Sequence, residues 1–119
     1  MIEKFAMEPA NLVAYIIYDD VTEEDVKRVR RDMNRVIDDY GSVRIYMDVR
    51  KLSGMTPQAV IEDLKLTPEY LRDVERFAIV GDKSWQEWLA RLSDAITTGE
   101  LRYFEPGEAV RGQTWVRRE

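Results

Sequence analysis

The chain has 119 residues, 45% hydrophobic and 34% charged, the balance of one soluble globular domain spanning residues 1–119. Its net charge of −5 gives no overall attraction to nucleic acid or anionic membranes, so either would need a local basic patch. Cysteine and histidine are both absent, which removes disulfides, thiolate nucleophiles, every Ser-His or Cys-His arrangement and the commonest metal ligand.

The chain opens on two apolar segments, Ile2 to Met7 and Leu12 to Tyr18, separated by the turn-rich Glu8-Pro9-Ala10-Asn11. That pattern predicts a β-hairpin, with the second strand nearer the sheet centre because it is richer in β-branched and aromatic residues. Leu12 to Tyr18 is also the longest apolar run and is far too short to span a bilayer. With Glu3 and Lys4 preceding any apolar stretch, a cytoplasmic protein without a targeting segment is expected.

Thr22 followed by Asp25 resembles a capping box, although Glu or Gln is the usual closing residue. Val26, Val29, Met33, Val36, Ile37 and Tyr40 then recur at helical spacing until Gly41 stops the helix. Its other face carries Lys27, Arg28, Arg30, Arg31 and Arg35, which is either a docking surface for an anionic partner or a solvated face paired with Glu23, Glu24, Asp32, Asp38 and Asp39.

Val43 to Val49 reads as the next strand and Arg50 to Met55 as a loop. Thr56-Pro57 then starts a helix whose buried face is Val60, Ile61 and Leu64. Thr67-Pro68-Glu69 repeats the start signal, and Tyr70, Leu71 and Val74 lead into a strand from Phe77 to Val80, apolar throughout and so buried on both faces. Gly81-Asp82 makes a turn and Ser84 caps a helix that places Trp85, Trp88, Leu89, Leu92 and Ile96 on one side. Leu101 to Phe104 is the last strand, and Pro106 to Val116 has a helical pattern that Gly107 and Gly112 would weaken by ~1 kcal/mol each if inside it. The order β-β-α-β-α-β-α-β-α predicts an α/β fold: a single mixed five-stranded sheet, an antiparallel hairpin followed by parallel strands, with helices packed on its faces.

Three stretches carry a family resemblance: Glu62-Asp63-Leu64-Lys65; Arg76 to Asp82 with Trp85 and Leu89; and Arg102-Tyr103-Phe104. In order and spacing they resemble the small bacterial SpoIIAA-like family, related to STAS domains and in outline to CRAL-TRIO lipid-transfer domains. The chain departs from that pattern at Met55, where members often carry an aromatic residue, and in the longer spacing from Ala109 to Trp115. STAS-type anti-sigma-factor antagonists are switched by phosphorylation of an Asp-Ser pair at a helix start after the third strand. Asp48 falls where their strand-end aspartate lies, but Met55-Thr56-Pro57 replaces the pair, leaving Ser53 or Thr56 as the hydroxyl that could take phosphate.

Gly81-Asp82-Lys83-Ser84 ends like a phosphate-binding loop but lacks its second glycine and its length, so it is a plain turn or, through Lys83, Ser84 and backbone amides, a site for a lone anion. Asp19, Asp20, Asp48 and Asp82 sit near strand ends without a spacing that demands a metal. The expectation is a non-enzymatic regulatory or interaction module that binds a protein partner or a second copy of itself, uses no cofactor or metal, and neither binds nucleic acid nor inserts into membranes. The alternative implied by the CRAL-TRIO resemblance is a carrier of a small apolar ligand. In that case Met55, Val60, Leu64, Tyr70 and Trp85 would line a cleft under a movable cover from Met55 to Val74.

Overall fold

Consecutive strands lie side by side. The computed structural model describes residues 1–52, 56–63, 71–92 and 99–118. Strand β1 (Ile2–Phe5) pairs antiparallel with β2 (Leu12–Asp19), with Ile2 opposite Ile17 and Phe5 opposite Ala14. Helix α1 (Glu23–Tyr40) leads to β3 (Val43–Leu52), α2 (Pro57–Asp63) precedes β4 (Val74–Val80), and α3 (Lys83–Leu92) precedes β5 (Glu100–Phe104). A short 3-10 turn, Pro106–Glu108, then opens α4 (Ala109–Arg117). Strands β2 to β5 are parallel and the sheet order is β1-β2-β3-β4-β5, the mixed five-stranded α/β sheet expected.

An unreversed strand order has a geometric consequence. Right-handed crossovers that always step in one direction put their helices on one face of the sheet. Val29, Met33 and Val36 of α1, Val60 of α2 and Trp85 of α3 accordingly share one core with Val13, Tyr15, Ile45, Met47, Phe77 and Ile79. The alternate strand residues Leu12, Ala14, Tyr46, Ala78, Val80 and Phe104 face the other way, against Trp115 and Val116 of α4. Phe77 to Val80 is thus buried on both faces, and each large side chain fully removed from water there contributes about 1.5–3 kcal/mol before entropy is counted.

Local chemistry explains most of the boundaries. The Thr22 hydroxyl accepts from the Asp25 N–H at 3.1 Å while the Asp25 carboxylate accepts from the Thr22 N–H at 3.0 Å, so Asp completes this capping box. Burial alone would raise the Asp25 carboxyl, but the Thr22 hydrogen bonds together with the N-terminal charge and the Ile2 backbone hold its pKa below the ordinary value. Gly41 ends α1 at φ 81°, and its N–H returns to the Ile37 carbonyl. Along α1, Lys27 pairs with Glu23 in solvent, while Arg28 and Arg35 reach the more sheltered Asp25 and Asp32.

Several expectations shift. Strand β3 runs on to Leu52 and β4 begins at Val74, because pairing with neighbouring strands extends both beyond their apolar stretches. Helix α3 begins at Lys83, before Ser84, and its cap is Asp82, whose Oδ1 accepts from the Ser84 N–H at 3.0 Å. Gly107 lies in the 3-10 turn, and Gly112 lies inside α4 for a packing reason. A Cβ on Gly112 would come within 3.1 Å of the Phe104 ring, so glycine lets the helix settle against β5. Trp88, Leu89 and Leu92 fall in α3, while Ile96 lies outside the described residues.

Candidate functional site

The C-terminal ends of the parallel strands gather the residues that the sequence marks for chemistry. Asp48, in β3 level with Val80 at the end of β4, is 6% exposed, and its carboxylate is engaged by one neighbour. Arg50 Nε reaches Oδ1 at 3.0 Å, its Nη2 reaches Oδ2 at 2.6 Å, and its backbone N–H reaches Oδ1 at 3.1 Å. The same guanidinium donates from Nη1 to the Pro106 carbonyl at 3.0 Å, tying the sheet to the start of α4. This bidentate pair, buried on the Asp48 side, engages both carboxylate oxygens.

At the end of β4 the Asp82 carboxylate occupies the start of α3, accepting from both the Ser84 N–H and the Ser84 hydroxyl. A negative group therefore already sits where Lys83 and Ser84 would hold an anion, and it complements the helix dipole. The Tyr103 hydroxyl donates to the Gly81 carbonyl at 2.7 Å and pins the turn, while burial pushes the Tyr103 pKa up. Asp19 closes β2 at φ 55°, a left-handed conformation that Asp tolerates better than most side chains. Among the described residues no three acidic side chains converge as a metal-binding group.

Of the residues assigned to a ligand cleft, Val60 and Trp85 are both buried in the same core. The Trp85 ring presses on Gly81 so closely that a Cβ there would lie 3.0 Å from Trp85 Cδ1 and 2.7 Å from Val49 Cγ2. Met55, Leu64 and Tyr70, like Ser53, lie outside the described residues. Thr56 is exposed, and its Oγ1 accepts from the Ala59 N–H at 3.2 Å as the cap of α2. Between the start of α1 and the end of α2 lies an open cavity of about 440 Å³ lined by Val21 and Val26 together with the charged Glu23, Lys27, Arg30 and Asp63.

A second surface escaped the sequence reading. Helix α4 buries Gly112, Trp115 and Val116, and its Arg111 and Thr114, with Arg118 just past its end, lie beside β5. With Arg102 and Phe104 they border an open groove of about 310 Å³. The Arg102 guanidinium lies 5.5 Å from the Trp115 ring and 6.0 Å from the Phe104 ring, within cation-π range. From beneath, Arg76 donates to the Trp115 carbonyl at 2.7 Å and to the Arg118 carbonyl at 2.9 Å, and Arg44 donates to the Val116 carbonyl at 3.2 Å. These two guanidiniums cap the C-terminal carbonyls of α4, where the helix dipole favours positive charge. The signal was present in sequence as three arginines and no acidic residue between Ala109 and Arg118, but only the fold sets Arg102 beside them.

The family model described as SpoIIAA-like matches residues 12–117. Among solved structures the chain is similar to an uncharacterised protein of the DUF3478 family with a SpoIIAA-like fold from Shewanella loihica PV-4. That likeness has a TM-score of 0.66 at 22% identity and covers 97% of this chain and 93% of the other, which bears on fold alone. No curated protein matches the chain.

Proposed function

Because the chain belongs to the SpoIIAA-like family, we propose that it is a non-enzymatic regulatory module that acts by binding a protein partner. One observation carries this reading: two of the carboxylates near the strand ends, where open α/β enzymes hold their substrates, are engaged within the chain, Asp48 by Arg50 and Asp82 by the Ser84 N–H and hydroxyl. The strand order also never reverses among the described residues, so the sheet lacks the switch-point crevice in which such ligands sit. Thr56 is an exposed hydroxyl on this surface, and phosphate there would add negative charge at the start of α2.

The second reading, a carrier of a small ligand, draws support from the cavity between α1 and α2, whose volume of about 440 Å³ suits a small molecule. Its charged rim fits an amphipathic compound better than a purely apolar one. Native mass spectrometry of the protein purified gently from its own cells, compared with the same sample denatured, separates the two. Stoichiometric association with a second polypeptide supports the module. A small added mass that is lost on denaturation supports the carrier and overturns the module.

A further inference from the structure

Resting on the reading of this chain as an interaction module, we propose that the groove between α4 and β5 is its docking surface and that it takes an acidic segment of the partner protein. The first ground is charge. A protein of net charge −5 presents here Arg102, Arg111 and Arg118, and among the described residues only Arg111 is ion-paired, to Glu108. Arg102 is exposed and rests on the Trp115 and Phe104 rings, which hold its guanidinium in place without neutralising it. A cation fixed in this way loses little side-chain freedom when a carboxylate arrives.

The second ground is shape. From Arg111 to Arg118, the residue capping its end, the helix rises about 10 Å at 1.5 Å per residue, the reach of roughly three residues of extended chain at ~3.3 Å each. A single small anion would meet one end of this array; a run of carboxylates meets all of it. Val110, 75% exposed, stands at the α4 end of the groove and offers an apolar contact beside the charges.

The test measures binding of a fluorescein-labelled peptide of alternating glutamate and valine, with the glutamine analogue, an oligothymidylate and phosphatidylglycerol vesicles as comparators. Two double variants with the same change in charge are compared, Arg102→Gln with Arg118→Gln in the groove and Arg31→Gln with Arg35→Gln on α1. The glutamate peptide should bind the native protein and the α1 variant alike, bind the groove variant at least about tenfold more weakly, and lose its affinity when glutamine replaces glutamate. Circular dichroism should show both variants folded, since all four side chains are exposed.

Equal weakening in both variants would reduce the effect to diffuse charge and overturn the proposal. So would groove-dependent binding of the oligothymidylate or the vesicles in place of the peptide, absence of peptide binding, or a self-association in sedimentation that the groove variant abolishes. A natural polypeptide partner that still copurifies in stoichiometric amount with the groove variant would overturn the groove while leaving the interaction module standing. A small-molecule mass in place of any polypeptide would overturn the module itself.

Discussion

Replacing Trp85 by Ala should remove about 3–5 kcal/mol of stability. The ring is 3% exposed, shares a core with Val60 and Val49, and lies so near Gly81 that no Cβ would fit between them. An aromatic side chain of this size takes ~200 Å² out of water, which at ~25 cal/mol per Å² amounts to about 5 kcal/mol. That sum is an upper value because the unfolded chain already shields part of the ring. Urea unfolding followed by far-ultraviolet circular dichroism reads the difference, and with a slope of about 1.5 kcal/mol per molar the midpoint should fall by about 2–3 M. Against a total stability of about 5–15 kcal/mol the Ala variant would be marginal, so Trp85→Phe, expected to lose roughly 1–2 kcal/mol, supplies a second point. A loss below ~1.5 kcal/mol for the Ala variant, with native secondary structure retained, would refute the closed-core reading. The indole would then border a gap, and the carrier reading would gain.

Three further outcomes are expected. Gly99→Ala places a Cβ 2.0 Å from the Val74 carbonyl oxygen, a backbone collision. It should cost at least about 1–3 kcal/mol by chemical denaturation, and a neutral result would mean that β5 does not enter the sheet as described. Arg76→Met removes the guanidinium that grips the Trp115 and Arg118 carbonyls. About 1–3 kcal/mol should be lost, with faster amide hydrogen exchange in α4, and unchanged protection there would refute the clamp. The hydrogen bond from Arg44, joined by those from Ser42 and Asn11, holds the Glu75 carboxyl below its ordinary pKa. Its folded pKa is thus below its unfolded one, so the network stabilises above the unfolded value and that contribution is lost as pH falls through the folded value. In thermal melts between neutral and acidic pH, Glu75→Gln should start lower and converge on the native protein in acid; parallel curves would show that Glu75 carries no such linkage.

The legible part of this fold is the local part. The Thr22–Asp25 box, the stop at Gly41 and the Thr56 cap are each settled within four residues, so sequence spacing reveals them. The shift of the α3 cap from Ser84 to Asp82 shows the limit of such reading, because two adjacent residues can both cap and only the backbone path decides which one does. The glycine at 112 misled for a different reason. Its helix cost is local, whereas the close approach to Phe104 that offsets it comes from another element.

The candidate sites follow the same division. Asp48, Lys83, Ser84 and Thr56 could be picked out by residue type and position, yet their roles depend on who faces them. Asp48 is occupied because Arg50 lies two residues along the same strand face, and Asp82 stands guard over the anion position beside Lys83. The groove at Arg102 was illegible because its members come from β5 and from the two ends of α4.

From the amino-acid order alone came the α/β class, the alternation of strands and helices, the doubly buried strand at Phe77 to Val80 and the exclusion of cysteine and histidine chemistry. These depend on composition and on periodicity within one element, which the chain carries wherever it goes. The tertiary structure decided the order β1-β2-β3-β4-β5, the placing of α1, α2 and α3 on one face with α4 on the other, and the grip of Arg44 and Arg76 on the last helix. Those are choices of strand pairing and register between segments far apart in sequence, and a side chain's partner across a sheet exists only after they are made.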